Sequence, residues 1–507
     1  MDAFLNLAHG FATALSPQGL LFTFVGVTVG TLIGVLPGLG PSATLGLLLP
    51  LTFGMNPTFA IAMLAGIYYG AEYGGSTTSI LLNLPGEAGS VVTCLDGHLM
   101  AQKGRAGAAL GMAAFASFIA GTVGLVLFTF MAQPLARWSL SFGPPEYAML
   151  MLLGLTAAAS LSRDKLKGMI MCALGLLLRT IGTDAVSGTA RFTFGSPNLL
   201  GGLSFIPVIM GLFAIGEILA ELAQGEGETP GAVRVTSSYR LRDLLPTLED
   251  WCHSIWAIIR GTLIGFFMGT LPGSGAAVAS FLSYSAEKAV GRRRNQLGTG
   301  IIEGVAAPES ANNAVTAGAM IPLFSFGIPG TPTTAILAGA LMMYGLQPGP
   351  RLFTEHPDFM WAVIATMYIG NVMLLVLNLP LIGLWVQLLR VPLHLLAPIV
   401  LTVTVIGAYS VNNNLFDVWV LLLFGLIGYL AKTYRYPVAP LVLGLIIGEK
   451  LEQSVRRSLL MSLGDPRIFV SSPISLTLFS LALLAIALNA GGALRRYLAA
   501  RNAAAAS

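Results

Sequence analysis

The chain has 507 residues, of which 55% are hydrophobic and only 10% are charged, and its formal net charge is +4. A soluble domain carries about 25% charged residues, so this composition, with a mean hydropathy of +0.78, excludes an ordinary soluble protein. In a membrane protein a small positive excess reports on topology, because loops rich in Lys and Arg stay in the cytoplasm. We therefore expect no nucleic-acid partner.

Long apolar runs predict an all-α polytopic membrane protein embedded in a lipid bilayer. A spanning helix needs about 20 residues, and by that measure we expect roughly 10–13 spans and partial spans. A transmembrane β-barrel would instead show alternating segments of about 10 residues. In chain order, the main runs are Gly19–Leu36, Ala106–Leu135, Leu199–Ala223, His253–Leu271, Trp361–Val386, Leu393–Tyr409, Leu415–Ala431 and Pro473–Leu488.

Polar stretches divide the chain into two halves. Residues 224–252 predict an aqueous loop that connects a first transmembrane half, residues 1–223, to a second, residues 253–493. Residues 494–507 form a basic tail, which predicts a cytoplasmic C-terminus.

A Gly- and Pro-rich motif interrupts the first apolar run. The segment GVLPGLGPSATLG contains L-P-G-x-G at residues 36–40, and a lone acidic residue, Glu72, follows in GAEYGGSTTS. A second Pro-Gly, Pro85–Gly86, comes next in NLPGEAGS. Because Pro removes a backbone donor and Gly loosens a helix, these motifs predict helices that are broken inside the bilayer.

The same order of features returns in the second half. GTLPGSGAAVAS places Pro272 235 positions after Pro37, Glu309 follows in APESANNAV, and Pro329–Gly330 follow in GIPGTPTT. The residues after the first break, LTFGMNPTF, are uncharged, whereas those after the second, EKAVGRRRNQ, include three adjacent arginines. Since arginine favours the cytoplasmic side, we expect two inverted repeats.

Two matched breaks indicate a transport site near the middle of the membrane, where the repeats meet. Broken backbone persists in a bilayer only where protein buries it or where it lines a water-filled cavity. Helix N-termini suit carboxylate groups, and freed carbonyl groups suit Na⁺ or another hard cation. A lone Gly or Pro more often serves close helix packing or a kink, and that alternative stays open.

We divide the candidate residues by role. The breaks and the polar residues beside them are expected to bind substrate: Pro37, Gly38, Gly40, Ser42, Asn83, Pro85, Gly86, Pro272, Gly273, Ser274, Gly275, Asn312, Asn313, Pro329, Gly330 and Thr331. The glutamates and hydroxyls nearby are expected to couple an ion: Glu72, Ser76, Thr77, Glu309, Ser310, Thr333 and Thr334. A glutamate inside the membrane is energetically costly and by default indicates a functional site, although it can also be a structural hydrogen-bond acceptor. Serine and threonine hydroxyls can instead donate hydrogen bonds to the backbone of their own helix.

Other charged residues and motifs are less informative. Arg179 could pair with Asp184, although five residues is not a favourable helical spacing, and for Arg179 and Arg260 snorkelling to the interface is the alternative. The sequence contains no HExxH, CxxC, Walker A or GxSxG motif, and its five histidines are scattered. We therefore expect neither an enzyme nor an ATP-driven pump, and no cofactor or resident metal beyond a co-transported Na⁺ or H⁺.

Six segments resemble the large membrane subunit of the tripartite tricarboxylate transporters, and the resemblance covers essentially the whole chain. They are GVLPGLGPSATLGLLLPLTFGM, YYGAEYGGSTTSILLNLPGEAGSVVTCLDGH, FFMGTLPGSGAAVASFLSYSAEK, EGVAAPESANNAVTAGAMIPLFSFGIPGTPTTAIL, GLFAIGE and LVLGLIIGEKLEQSVRRSLLMSLGD. The family motifs fall here on Leu36–Gly40, Glu72–Gly86, Leu271–Gly275 and Pro308–Gly330.

The resemblance implies a secondary transporter of the bacterial inner membrane that takes up tri- and dicarboxylates, driven by a Na⁺ or H⁺ gradient. It also implies two protein partners, a small four-span membrane subunit and a periplasmic solute-binding protein that delivers the carboxylate substrate. Related architectures imply an elevator-like movement. The alternatives are an uncoupled carboxylate channel or carrier, and a membrane scaffold subunit that does not itself transport.

Overall fold

The computed structural model describes residues 2–36, 40–160, 164–184, 187–224, 241–388, 393–484 and 486–487. It confirms the predicted all-α membrane class, because about 80% of the structure is helical and the described strands are two short segments of two residues each. Five described helices are long and apolar enough to cross a membrane: Pro17–Gly34, Ala106–Ser139, Leu248–Thr270, Pro357–Asn378 and Leu415–Thr433. Shorter apolar helices accompany them, as expected of partial spans: Pro41–Thr52, Phe205–Ala220, Pro332–Met343 and Pro473–Leu484.

The helices are numbered in chain order. They are α1 (Asp2–Ala14), α2 (Pro17–Gly34), α3 (Pro41–Leu48), α4 (Pro57–Leu82), α5 (Thr93–Gln102), α6 (Ala106–Ser139), α7 (Pro144–Ser160), α8 (Lys165–Arg179), α9 (Phe205–Ile209), α10 (Gly216–Gln224), α11 (Leu241–Leu244), α12 (Leu248–Thr270), α13 (Gly275–Val290), α14 (Glu303–Phe326), α15 (Pro332–Met343), α16 (Arg351–Glu355), α17 (Pro357–Asn378), α18 (Ile382–Leu388), α19 (Leu393–Asn412), α20 (Leu415–Thr433), α21 (Val438–Met461) and α22 (Pro473–Leu484). A π-helical turn, Met210–Ile215, joins α9 to α10. The described strands are β1 (Gly182–Thr183) and β2 (Ala190–Arg191), which pair antiparallel.

Packing divides the chain into two compact units. Unit 1 consists of Met1–Arg137 and Ile206–Thr433, and unit 2 consists of Trp138–Phe205 and Tyr434–Ser507. Every candidate site residue belongs to unit 1. Residues 225–240, most of the predicted connecting loop, and the basic tail 494–507 lie outside the described residues, so the division into halves stays a prediction.

In unit 1, α2 packs on α4 through glycines spaced four residues apart. Gly26, Gly30 and Gly34 of α2 lie against the backbone of α4, and a Cβ on Gly30 would lie only 2.8 Å from the Cα of Ile67. Small residues at this spacing let two membrane helices approach until their backbones touch. The first break therefore follows a helix that is held tightly along its length.

The second copy repeats this contact between α12 and α14. Gly261, Gly265 and Gly269 of α12 lie 235 positions after the glycines of α2, and a Cβ on Gly265 would lie 2.6 Å from the Cα of Ala311. Since the LPGxG motifs have the same offset, the duplication extends about three helical turns before each break.

The long helices α4 and α14 contribute glycines of their own to these contacts, and both helices end in the same way. Gly74 of α4 meets the backbone of Thr31, and Gly318 of α14 meets the backbone of Phe266, so the facing residues are again 235 positions apart. Each helix then ends at a left-handed residue, Asn83 with φ 57° or Gly327 with φ 72°. A Pro-Gly segment follows in both copies.

Unit 2 is held by a network of charged side chains between the α8–β2 region and α21. Arg456 donates two hydrogen bonds to Asp184, at 3.1 and 2.9 Å, and Arg191 donates two to Glu452, at 2.7 and 3.2 Å. The hydrogen bonds from Arg191 keep the pKa of Glu452 below its usual range. Arg179 bonds to Glu449, so the suggested Arg179–Asp184 pair is wrong.

Replacing Asp184 by alanine is expected to lower the melting temperature of the purified protein, at a cost of roughly 1–3 kcal/mol. The Asp184 side chain is only 7% exposed. Its removal deprives Arg456 Nη1 of both carboxylate oxygens to which it donates hydrogen bonds. The measurement is thermal unfolding in detergent. The control is Glu355→Ala, which removes a solvent-exposed pair with Arg351 at 4.0 Å and is expected to change stability by less than about 1 kcal/mol. Equal losses in both variants would contradict this role for the network.

Candidate functional site

The first break meets the Pro-Gly segment of the second copy. Helix α3 begins directly after Gly40 with Pro41 at its first position, and Ser42 Oγ lies 3.0 Å from Oγ1 of Thr333. Thr333 stands in the first turn of α15, which Thr331 caps. We call this contact, Gly40–Ser42 with Thr331–Thr333, the first junction.

The second break meets the Pro-Gly segment of the first copy. Helix α13 begins at Gly275 and packs on the short 3₁₀ helix Gly89–Val91. A Cβ on Gly89 would lie 2.9 Å from the Cβ of Ala276 and would also meet the Asn312 side chain. We call this contact, Gly275–Ala276 with Glu87–Ser90 and Asn312, the second junction.

Each Pro-Gly segment also packs against the helix that precedes the break in its own copy, which is α2 in the first copy and α12 in the second. Gly273, with φ 85°, donates its N–H to the carbonyl of Gly330 at 2.7 Å, and a Cβ on Gly330 would lie 3.0 Å from the carbonyl oxygen of Gly269. In the first copy, Gly86 lies against the carbonyl of Gly34, the residue that matches Gly269. Pro37 and Gly38 lie outside the described residues, so their contacts stay predictions.

Three helices have their N-termini at the two junctions. Helices α3 and α15 begin at the first junction, and α13 begins at the second. The first turn of a helix has N–H groups without intrahelical acceptors and carries partial positive charge. The sequence has no Lys or Arg in residues 36–87 or 271–287. An anion at the junctions would therefore be held by N–H, hydroxyl and amide groups.

Glu309 is buried in α14 and has hydrogen-bond donors on both carboxylate oxygens. Ser76 donates to Oε2 at 2.5 Å, and Thr93 donates to Oε1 at 2.5 Å. Ser117 lies 3.5 Å from Oε2 and itself accepts from Asn313 Nδ2 at 2.6 Å. Because the donors come from α4, α5 and α6, this carboxylate ties the first copy to α14.

A second buried polar group contains two acids, Glu72 and Glu87, and the amide of Asn312. Asn312 Nδ2 donates to Glu87 Oε1 at 3.1 Å, and Glu87 Oε2 accepts the N–H of Gly89. The Glu72 carboxyl faces Glu87 and Asn312. Three side chains from both copies thus meet beside the second junction.

The packing places Glu72 and Glu309 out of register. Glu72 lies two residues before Gly74, whereas Glu309 lies nine residues before Gly318, the matching glycine of α14. A difference of seven residues is about two helical turns. The two glutamates share an order in the sequence but are not equivalent positions; the position that matches Glu72 is Thr316.

Several predicted polar residues are engaged locally. Ser310 donates to the carbonyl of Ala306 at 2.6 Å, Ser274 to that of Leu271 at 2.9 Å, and Thr331 and Thr334 cap α15 reciprocally. Asn83 is the left-handed end of α4. Thr77 lines a small cavity beside Ser76 and Ser117. Among the described residues, no group of three Asp, Glu, His or Cys side chains is arranged to hold a metal ion.

Sequence reasoning did not select Glu87, Thr93 or Ser117. Glu87 had a signal, because it is a carboxylate directly after the first Pro-Gly in an apolar region. Thr93 and Ser117 had none, since a single hydroxyl on an apolar helix is ordinary. Their role emerges only from the approach of α5 and α6 to α14.

Replacing Ser42 by alanine is expected to weaken transport about two- to tenfold, because the Ser42–Thr333 contact positions both helix N-termini at the first junction. A net hydrogen bond is worth about 0.5–1.5 kcal/mol. The measurement is a double-mutant cycle of uptake rates with Thr333→Val. Strict additivity of the two single effects would show that the contact is not used.

The chain is similar to a described protein family and to two proteins of Agrobacterium vitis. The model of the family described as "Tripartite tricarboxylate transporter TctA family" matches residues 20–443. An uncharacterised 52.8 kDa protein in the TAR-I ttuC' 3' region of Agrobacterium vitis is 46% identical over 487 residues, 96% of each chain. An uncharacterised protein in the TAR-II ttuC' 3' region of the same organism is 45% identical over 224 residues, 44% of this chain and 93% of that protein. No solved structure matches the chain.

Proposed function

Because the chain belongs to the tripartite tricarboxylate transporter TctA family, we propose that it is the large permease subunit of a carboxylate uptake system in the bacterial inner membrane. Members of this family are membrane components of transporters that act with other subunits, and they are not enzymes. The multi-pass helical fold agrees with such a role. The finer proposal is uptake of tri- or dicarboxylates driven by a Na⁺ or H⁺ gradient.

The observation that carries this proposal is the pair of junctions. The N-termini of α3 and α13 lie against the Pro-Gly segment of the opposite copy. A third helix, α15, begins at the first junction, directly after the Pro-Gly segment of its own copy. In secondary transporters, helix ends of this kind hold anionic substrate groups, and loosened backbone holds the coupling ion. The carboxylate is proposed to bind at the junctions through the breaks and the polar residues beside them.

The proposed cycle begins with a periplasmic solute-binding protein that delivers the carboxylate, with a small four-span membrane subunit completing the complex. The carboxylate binds, and a cation binds beside it. Loading both reduces the net charge and permits the switch to the inward-facing state. The reverse switch follows release on the cytoplasmic side. An elevator-like movement of the motif-bearing helices is proposed for these switches.

Uptake into proteoliposomes tests this function. The vesicles hold the chain and its small partner, a cognate binding protein carries a labelled carboxylate, and a Na⁺ or H⁺ gradient is imposed separately. We expect accumulation under one gradient that disappears without the binding protein. Equilibration without accumulation would instead indicate an uncoupled carrier, and no flux through a folded complex would indicate a scaffold subunit.

A further inference from the structure

We propose that a cavity between the first half of α12, the end of α13 and the start of α14 binds the headgroup of phosphatidylethanolamine. Glu303 accepts hydrogen bonds from the ammonium group of this lipid, and Arg292 binds its phosphate. None of the residues that line the cavity belongs to either junction, so this site is independent of the proposed carboxylate uptake.

The cavity is open to the surface and has both signs of charge in its lining. Its volume is about 230 Å³, and Trp256 at its edge is 54% exposed. The charged side chains that line it are Arg260, Arg292, Glu287 and Glu303. Because cations and anions are equal in number, the lining is suited to a ligand that also carries both charges.

Glu303 is a buried carboxylate with an unmet need for hydrogen-bond donors. Its side chain is only 4% exposed, and among the described residues its Oε2 has no hydrogen-bond partner. Arg293 Nη1 lies 3.5 Å from that oxygen and also lies 3.3 Å from His253 Nδ1. The other nitrogens of this guanidinium, Nε and Nη2, donate to Gln296 at 3.1 Å. A buried charge needs donors of its own, and a ligand ammonium in the cavity would supply them.

Arg292 is a cation of the cavity without an acidic partner. Arg260 donates from Nε to Glu287 Oε2 at 3.1 Å, so these two side chains offset each other. None of the ion pairs between described residues includes Arg292. The cavity therefore presents a guanidinium and the Glu303 carboxylate that do not pair with each other.

The headgroup of phosphatidylethanolamine matches both groups. Its phosphate is the kind of anion that a guanidinium binds through paired hydrogen bonds, and its primary ammonium has three N–H donors, like that of lysine. Phosphatidylcholine has methyl groups in place of these donors, and phosphatidylglycerol has no positive group. Either of them would leave the Glu303 carboxylate without a charged donor.

An exposed apolar row on α12 indicates that the ligand is a lipid and not a small soluble zwitterion. The row consists of Trp256, Ile259, Leu263 and Phe267, which are all exposed and, at spacings of three or four residues, share one face of the helix. It starts at the cavity and offers a path for acyl chains. Trp is enriched at membrane interfaces, and the arginines at 292–294 favour the cytoplasmic side, where basic pockets between membrane helices bind lipid headgroups.

Native mass spectrometry of the purified full chain tests the headgroup without transport. The protein is titrated with phosphatidylethanolamine, phosphatidylcholine and phosphatidylglycerol that have identical acyl chains. We expect the wild type to bind phosphatidylethanolamine about tenfold more tightly than the other two, because only this lipid adds a charge-assisted hydrogen bond to Glu303. Equal affinities for the three lipids, or tightest binding of phosphatidylglycerol, would overturn the proposal.

Two variants separate the two contacts. Glu303→Gln is expected to lower the affinity for phosphatidylethanolamine to that for phosphatidylcholine, whereas Arg292→Gln is expected to weaken all three lipids alike, because all of them carry the phosphate. The control for the first is Glu355→Gln, at an exposed glutamate. The control for the second is Arg294→Gln, which removes the same charge from the same run of arginines but from outside the cavity. A headgroup preference that survives Glu303→Gln, or an equal loss in Arg292→Gln and Arg294→Gln, would overturn the site.

A further measurement uses the wild type alone, so that it does not depend on folding of the variants. Cys252 is exposed and lines the cavity, and mass spectrometry can follow its alkylation by a maleimide in nanodiscs. We expect phosphatidylethanolamine to slow alkylation of Cys252 relative to phosphatidylcholine and to leave the rate at Cys94 unchanged. Equal rates at Cys252 in the two lipids would overturn the placement. Loss of phosphatidylethanolamine binding on addition of the small membrane subunit would also overturn it and would identify this face as a subunit interface.

Discussion

Replacing Gly273 by leucine is expected to reduce carboxylate uptake by at least tenfold while the protein still inserts into the membrane. Gly273 has φ 85°, a conformation that costs other residues about 1–3 kcal/mol, and each 1.4 kcal/mol is about a factor of ten. Its N–H also closes the second break onto Gly330 at 2.7 Å. A side chain there strains the break directly before α13 begins.

The control for Gly273→Leu is Gly345→Leu. Gly345 has φ 74°, and a Cβ there would meet no atom within 4 Å, so this variant carries similar backbone strain away from the junctions. The readouts are membrane abundance, elution of the solubilised protein on size exclusion, and uptake in proteoliposomes. Normal uptake by Gly273→Leu at normal abundance would contradict the placement of the substrate at the breaks.

Replacing Gly265 by leucine is expected to prevent accumulation of folded protein. A Cβ at this position would lie 2.6 Å from the Cα and 2.7 Å from the carbonyl carbon of Ala311, and backbone atoms cannot rotate away as a flexible side chain can. Overpacking a well-packed interior typically costs 1–3 kcal/mol, and here the whole α12–α14 contact must separate. Gly30→Leu in the matching α2–α4 contact is expected to have the same outcome.

The control for the glycine contact is Gly201→Leu in unit 2. A Cβ on Gly201 would meet no atom within 4 Å, so only the α12–α14 and α2–α4 variants should lose their symmetric elution peak. A folded Gly265→Leu protein with wild-type melting temperature would show that α12 and α14 are not in backbone contact.

The sequence alone was sufficient to predict the membrane class and the duplicated breaks, because composition and Gly-Pro spacing are local properties. The Gly-x-x-x-Gly rows of α2 and α12 have the same offset as the LPGxG motifs, so the repeat could have been traced further into these helices. The structure adds that each break meets the Pro-Gly segment of the opposite copy. No local sequence pattern predicts that each break contacts the Pro-Gly segment of the opposite copy.

The candidate ion residues were predictable only in part. Glu72 and Glu309 are conspicuous as charges in apolar segments. Whether they occupy equivalent positions depends on which residues of α4 and α14 face the glycines of α2 and α12, and only the packed helices show this. Glu87 follows a turn, where acidic residues are common. Its burial becomes apparent only when α4 and Asn312 enclose it.

The placement of the transport site is tested most directly by cryo-electron microscopy of the full complex in nanodiscs. The sample would contain Na⁺ and a carboxylate that the complex has been found to transport. We expect carboxylate density within hydrogen-bonding distance of the N-termini of α3, α13 or α15, with the Glu72–Glu87–Asn312 group beside it. Carboxylate density away from both junctions would contradict the proposed site.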